Sequence, residues 1–188
     1  MAATLLTSVF AYISTNIDDI VVLMILLAQA EKSTKGKLAA GHFLGVGILT
    51  AMSLLGALGL QNLPLNYVGI LGLVPIFLGI RAWRHGENST EASAHGTVNL
   101  MSMAMITLGN GADNLGLYIP LFTGFSGPER VCAAAVFAIM TALWLRLADA
   151  LAELPVFKDR IIKFKPVLIP AVFVLLGVYI ILDSGLLC

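Results

Sequence analysis

Charge is scarce in this sequence. Eleven basic and eleven acidic residues make up 12% of 188 positions, and they cancel to a net charge of zero. No basic surface is left to recruit nucleic acid, so that class of partner is excluded. Cysteine is scarcer still. Cys132 and Cys188 lie far apart, and two such residues make neither a disulfide framework nor a CxxC metal or redox motif. A GxxxxGK(S/T) phosphate loop is missing, so ATP is not the energy source. The opening Met1-Ala2-Ala3-Thr4 lacks the basic stretch of a signal peptide, and the apolar run behind it is too long for one. The first apolar segment is therefore expected to stay in the mature protein.

Hydrocarbon takes the place of charge. Hydrophobic residues make up 59% of the chain, and the mean hydropathy is +0.94. A soluble domain of this size has no reason to be so apolar. Apolar runs fall at roughly 4–30, 37–60, 64–84, 98–124, 127–151 and 164–186, and each reaches the ~20 residues that span a bilayer. Gly36, Pro64, Gly127-Pro128 and Pro166 punctuate the starts of the second, third, fifth and sixth runs. The pattern predicts an all-α integral membrane protein of six spans. Lys32, Lys35, Lys37, Arg81, Arg84, Lys158, Arg160, Lys163 and Lys165 fall on one face, against Arg130 alone on the other. The positive-inside rule then puts the basic face in the cytoplasm and both termini outside.

Three aspartates interrupt the apolar runs. Asp18 and Asp19 lie near the middle of the first, in Ser14-Thr15-Asn16-Ile17-Asp18-Asp19, and Asp113 lies near the middle of the fourth, in Gly109-Asn110-Gly111-Ala112-Asp113-Asn114. A charged residue at the bilayer centre costs about 2.5–3.5 kcal/mol on insertion scales and is kept for ion or substrate handling. Arg146 lies deeper inside a run than any other basic residue, and Asp149 at i+3 is placed to pair with it. The central acids must then be protonated or bind a cation.

Asn16-x-x-Asp19 matches Asn110-x-x-Asp113, about 94 residues later. Three spans per half is an odd number, so the halves would enter the membrane from opposite sides. The expected architecture is a 3+3 inverted-topology repeat in one membrane domain over 1–188. Residues 1–84 form the first repeat, 85–97 a cytoplasmic linker and 98–188 the second repeat. Such folds bind substrate near the midplane. Helical spacing puts Tyr12, Asn16 and Asp19 on one face of the first span, with Thr15 beside them. Thr107, Asn110, Asp113, Asn114 and Tyr118 form a polar stripe on the fourth. Asp18 points about 100° away from Asp19, so either the helix is locally unwound or the two acids differ in role. Gly109, Gly111 and Gly116 permit a break in the fourth span, and Pro120 removes a backbone bond one turn later.

The remaining features are weaker. A single Ser8, Thr50, Thr107 or Thr141 in a membrane helix usually joins helices together. His42 is either a ligand at the cytoplasmic mouth or a packing group. The His85–His95 loop has metal-friendly composition but reads first as a solvated linker. Met101, Met103 and Met105 alternate by two, so a helix scatters them between lipid and core.

Thr15-Asn16-Ile17-Asp18-Asp19, Gly41-His42-Phe43-Leu44-Gly45, Leu71-Gly72-Leu73-Val74-Pro75-Ile76-Phe77-Leu78-Gly79-Ile80, and Gly111-Ala112-Asp113-Asn114 through Tyr118-Ile119-Pro120 occur in that order. From about residue 5 to residue 182 the chain resembles the cadmium resistance transporter family, within the lysine-exporter superfamily. The resemblance implies a bacterial inner-membrane exporter of divalent cations, cadmium above all, and no enzyme. By ligand softness alone the Asp and Asn oxygens favour Mn²⁺ or Ca²⁺, so cadmium comes from the resemblance and not from the residues.

The sequence reading is a proton-coupled secondary exporter with no resident cofactor. Asn16, Asp18, Asp19, Asn110, Asp113 and Asn114 are the metal-handling set, with Thr15, His42, Thr107 and Tyr118 as accessories. Cadmium is the expected cargo, with zinc or manganese as alternatives. Its partners are the lipid bilayer, the metal ion and protons as substrates, and at most a second copy in a homodimer. An exporter of a cationic amino acid or amine, and an intramembrane enzyme, are the competing readings.

Overall fold

The computed structural model describes residues 2–60, 70, 73–85, 99–152, 171, 174, 175, 177, 178 and 180–182. All regular structure among the described residues is helical. Helix α1 covers Ala2–Gln29, α2 Lys32–Leu60, α3 Leu73–His85, α4 Leu100–Gly109, α5 Ala112–Gly124 and α6 Gly127–Ala152. Helices α2 and α6 are each long and apolar enough to cross a membrane, and α1 makes a third when its two segments count as one span. Their outward faces are as greasy as their inward ones: Leu55 is 68% exposed and Val131 72%. Bare apolar surface of this kind calls for lipid or further protein.

Of the third predicted run, the described residues keep position 70 and α3, while the sixth lies largely outside them apart from the helical positions between 171 and 182. Pro64, Pro166, the 86–97 part of the linker and the basic cluster Lys158, Arg160, Lys163 and Lys165 also lie outside them.

Two starts show how local chemistry decides helix boundaries. Helix α2 begins at Lys32 and runs through Gly36, which was expected to precede it; the Glu31 carbonyl accepts from Thr34 N–H at 2.8 Å and Lys35 N–H at 3.1 Å. One glycine costs a helix about 1 kcal/mol, too little to end one that is anchored upstream. Helix α6 begins at Gly127-Pro128 as expected. Glu129 reaches back to cap it, accepting at Oε2 from Ser126 N–H at 3.0 Å and from the Ser126 hydroxyl at 2.7 Å. Thr4 Oγ1 donates to Glu129 Oε1 at 2.7 Å and ties the start of α1 to the start of α6.

Helix α1 packs along α6, while α2 packs along α4 and α5. The α2–α4 seam depends on glycine. A Cβ on Gly41 would overlap the Leu100 carbonyl oxygen, and one on Gly45 would lie 2.6 Å from Thr107 Cβ. Small residues one turn apart let membrane helices approach this closely. Met103 is buried on the same seam while Met101 and Met105 face outward, which is the scatter expected of alternate residues on a helix.

Asp149 does not take the partner expected from its i+3 spacing. Its Oδ1 accepts from Lys35 Nζ at 2.6 Å, joining the start of α2 to the last turns of α6. The tertiary approach of α2 brings an ammonium onto the carboxylate and so overrides the sequence-local neighbour, Arg146.

Candidate metal centre

Both aspartate motifs sit where a helix is broken. Helix α1 bends by 58° between Ala2–Ile17 and Asp19–Ala28, which makes Asp18 the pivot. Back-bonding hydroxyls and an inserted donor account for the bend. Ser14 Oγ donates to Ala11 O at 2.9 Å, and Thr15 Oγ1 donates to the same carbonyl at 3.1 Å. Trp144 of α6 then places its indole Nε1–H on Asn16 O at 2.8 Å.

The second break is wider. Asn110 ends α4 and Gly111 precedes α5. A Cβ at Gly111 would run into the Leu49 side chain, so this contact with α2 selects glycine at the break. Pro120 does not end the helix, and α5 continues through it to Gly124. The C-terminal end of α4 turns its negative dipole end toward the gap, and α5 begins beyond it with Asp113 in its first turn, where a carboxylate is favoured.

One hydrogen bond joins the two breaks. Asn110 Nδ2 donates to Asp19 Oδ1 at 3.1 Å, so the amide of the second motif meets the acid of the first. Asp19 is 3% exposed. Asp113 is half-buried, with Oδ1 accepting from the Asn114 backbone N–H at 3.1 Å. The Asp18 side chain lies outside the described residues.

Asn16 is held tightly by its nitrogen. Tyr12 O, Thr15 Oγ1 and Tyr118 OH share the two hydrogens of Nδ2, each at 2.9 Å. Thr15 Oγ1 and Tyr118 OH share a further hydrogen bond of 2.5 Å. Oxygen Oδ1 is left buried with no hydrogen-bond partner, and Asn114 Oδ1 is in the same condition. Buried polar atoms are normally satisfied, so two orphan amide oxygens flanking the breaks mark where a further electropositive group would sit. Thr107 and His42 make a separate pair. His42 Nδ1 lies 3.0 Å from Thr107 Oγ1, and its Nε2 is buried without a partner.

The sequence reading brought Asp19, Asn110, Asn16, Thr15 and Tyr118 toward one region, and the hydrogen bonds connect them as two groups: Asp19 with Asn110, and Asn16 with Thr15 and Tyr118. It overlooked α6. Trp144 holds the bend, and Tyr12 OH donates to Thr141 at 3.1 Å. Phe137 packs between Tyr12 and Tyr118, with ring centroids 5.6 and 4.5 Å away. The signal was present: Phe137, Thr141, Trp144 and Ala148 recur at helical spacing, and all four are buried. Thr107 and Thr141 each bond across helices, while Ser8 and Thr50 bond back to Thr4 O and Val46 O. Among the described residues, no three His, Cys, Asp or Glu side chains gather into a metal-binding group. The donors at the breaks are carboxylate, amide and hydroxyl oxygens.

A family model described as cadmium resistance transporter matches residues 12–187, a stretch that takes in both motifs and both breaks. The chain belongs to the cadmium resistance transporter family. No curated protein and no solved structure matches it. Membership in this family makes the chain a membrane transporter concerned with metal ions, in keeping with its apolar helices. In this cadmium resistance transporter family member, the oxygen-rich breaks lie within the matched segment.

Proposed function

We propose that the chain is a secondary active exporter of divalent cations, cadmium foremost, working by proton antiport in a bacterial inner membrane. The observation that carries the reading is the Asn110–Asp19 hydrogen bond between two broken helices, together with the orphan oxygens of Asn16 and Asn114. Broken helices at the midplane expose dipole ends and carbonyls to an ion, which is how several transporter folds build their sites.

The residues divide the work. Asp19 and Asp113 supply charge, and Asn16, Asn110 and Asn114 supply neutral oxygens. Thr15 and Tyr118 hold the Asn16 amide with its oxygen free. An incoming dication displaces the Asn110 N–H from Asp19, after which the amide can turn its own oxygen to the ion. Hard oxygen donors hold a transported ion less tightly than thiolates, and an exporter must release what it binds.

The pairing of elements supports a 3+3 inverted repeat of six spans. First span with fifth, and fourth span with second, are equivalent pairs when the first half is laid on the second. In that arrangement both termini lie outside, with the Lys35–Asp149 end toward the cytoplasm.

Asp18 breaks the repeat, because Ala112 stands in its equivalent place. We assign it the coupling role. In proteoliposomes, an imposed pH gradient should drive cadmium flux through the wild type. Asp18→Asn should reduce that flux while leaving cadmium binding to purified protein intact, since an amide does not carry a proton near neutral pH. Parallel loss of binding and flux would make Asp18 a ligand, and flux indifferent to the pH gradient in the wild type would rule out proton antiport.

A further inference from the structure

The oxygen donors at the breaks leave a chemical mismatch. Carboxylate and amide oxygens suit hard ions such as Mn²⁺, whereas imidazole nitrogen suits Zn²⁺ and its heavier congener Cd²⁺. Among the described residues, one imidazole nitrogen is both buried and without a partner. His42 is fully buried on α2, and its Nε2 has no hydrogen-bond partner.

The register of the helices locates it. Helix α2 runs parallel to α4 and α5: Gly41 meets Leu100 and Met103, Gly45 meets Thr107, and Gly111 meets Leu49. His42 therefore lies on the α2 N-terminal side of the second break. Its Nδ1 reaches Thr107 Oγ1, and Thr107 precedes Asn110 by three residues, which is about 4.5 Å of helix rise. Thr107 and Asn110 share a face of the broken span. The His42 ring thus stands about one turn from the Asn110–Asp19 contact, on the side from which an exported ion arrives.

We infer that His42 is a nitrogen ligand at an entry station, one turn before the carboxylate site, and that it selects Zn²⁺ and Cd²⁺ over Mn²⁺. Thr107 is its positioning residue. When Nδ1–H donates to Thr107 Oγ1, the Nε2 lone pair is held ready for an ion, the arrangement in which metal-binding histidines are usually fixed. The seam explains why the ring is so well held. Gly41 and Gly45 flank His42 and bring α2 against α4 without side chains between them. The ion passes from this nitrogen to the oxygens of the breaks, so the inference rests on the exporter reading above.

Substitution by asparagine isolates the nitrogen. His42→Asn keeps an amide N–H near the Nδ1 position for Thr107 and removes Nε2. Uptake of cadmium and of manganese is measured separately in inverted membrane vesicles, with Asp19→Asn as the reference. The cadmium-to-manganese ratio should fall about tenfold or more in His42→Asn, since even the groups that merely orient a metal's ligands are worth 10–100-fold. Manganese uptake should persist. An unchanged ratio, with or without a common loss of both fluxes, overturns the inference. If His42→Asn fails to reach the membrane, Thr107→Val is read in its place: the ratio should fall because the ring is no longer oriented, and an unchanged ratio again overturns the station. The Asp19→Asn arm separates the two readings. If it transports as the wild type does, the carboxylate site fails whatever His42 does.

Discussion

Asparagine at position 19 or at position 113 is expected to abolish cadmium tolerance, down to the level of cells that carry an empty vector. Each change keeps the shape of the side chain and removes one negative charge. The effect at Asp19 should be complete, because its carboxylate is 3% exposed and meets Asn110 of the other motif. A buried dication needs charge compensation that neutral amides do not provide. Asp113 lies in the first turn of α5, and in the proposed site it is the second charge. Normal amounts of protein in the membrane, checked by immunoblot, would separate loss of transport from loss of folding. Wild-type tolerance in either variant would remove the two-carboxylate site.

The second large effect is expected at Gly45. Alanine there would put its Cβ 2.6 Å from Thr107 Cβ, and neither atom can swing away because both are fixed to helix backbone. Overpacking of this kind costs about 1–3 kcal/mol for one added methylene group, and leucine would cost more. Gly45→Leu should therefore leave little folded protein, and Gly45→Ala should lower the unfolding temperature and loosen His42 from Thr107. Gly47 is the control. It lies half a turn further along the same helix, and a Cβ there would meet nothing within 4 Å, so Gly47→Ala should be silent or slightly stabilising. Thermal unfolding of the detergent-purified variants reads the difference. Equal stability of the two alanine variants would mean that the α2–α4 seam is not as close as described.

The polar punctuation of the apolar runs was legible because it is rare. Asn16, Asp19, Asn110 and Asp113 stand out in runs of hydrocarbon, and Gly109 and Gly111 flag a break that the structure places at Asn110–Gly111. The conflict at Asp18 was legible, since two adjacent acids cannot point one way from a regular helix, but it left a bend and a difference of role as equal readings; the structure bends there. What escaped was the support. Trp144, Thr141 and Phe137 carry no charge, and their role comes from α6 lying along α1, which no local pattern announces. The Lys35–Asp149 pair escaped for the same reason, because spacing along one helix says nothing about a neighbour brought in from another. The start of α2 was misplaced by reading Gly36 as the residue before it, when the Glu31 carbonyl had already anchored the first turn.

Calorimetric titration of the purified chain with cadmium tests the central claim most directly. The account predicts saturable binding at the carboxylate site in the wild type, and loss of that binding in Asp19→Asn and in Asp113→Asn. Cadmium binding that is unchanged in both variants would contradict it.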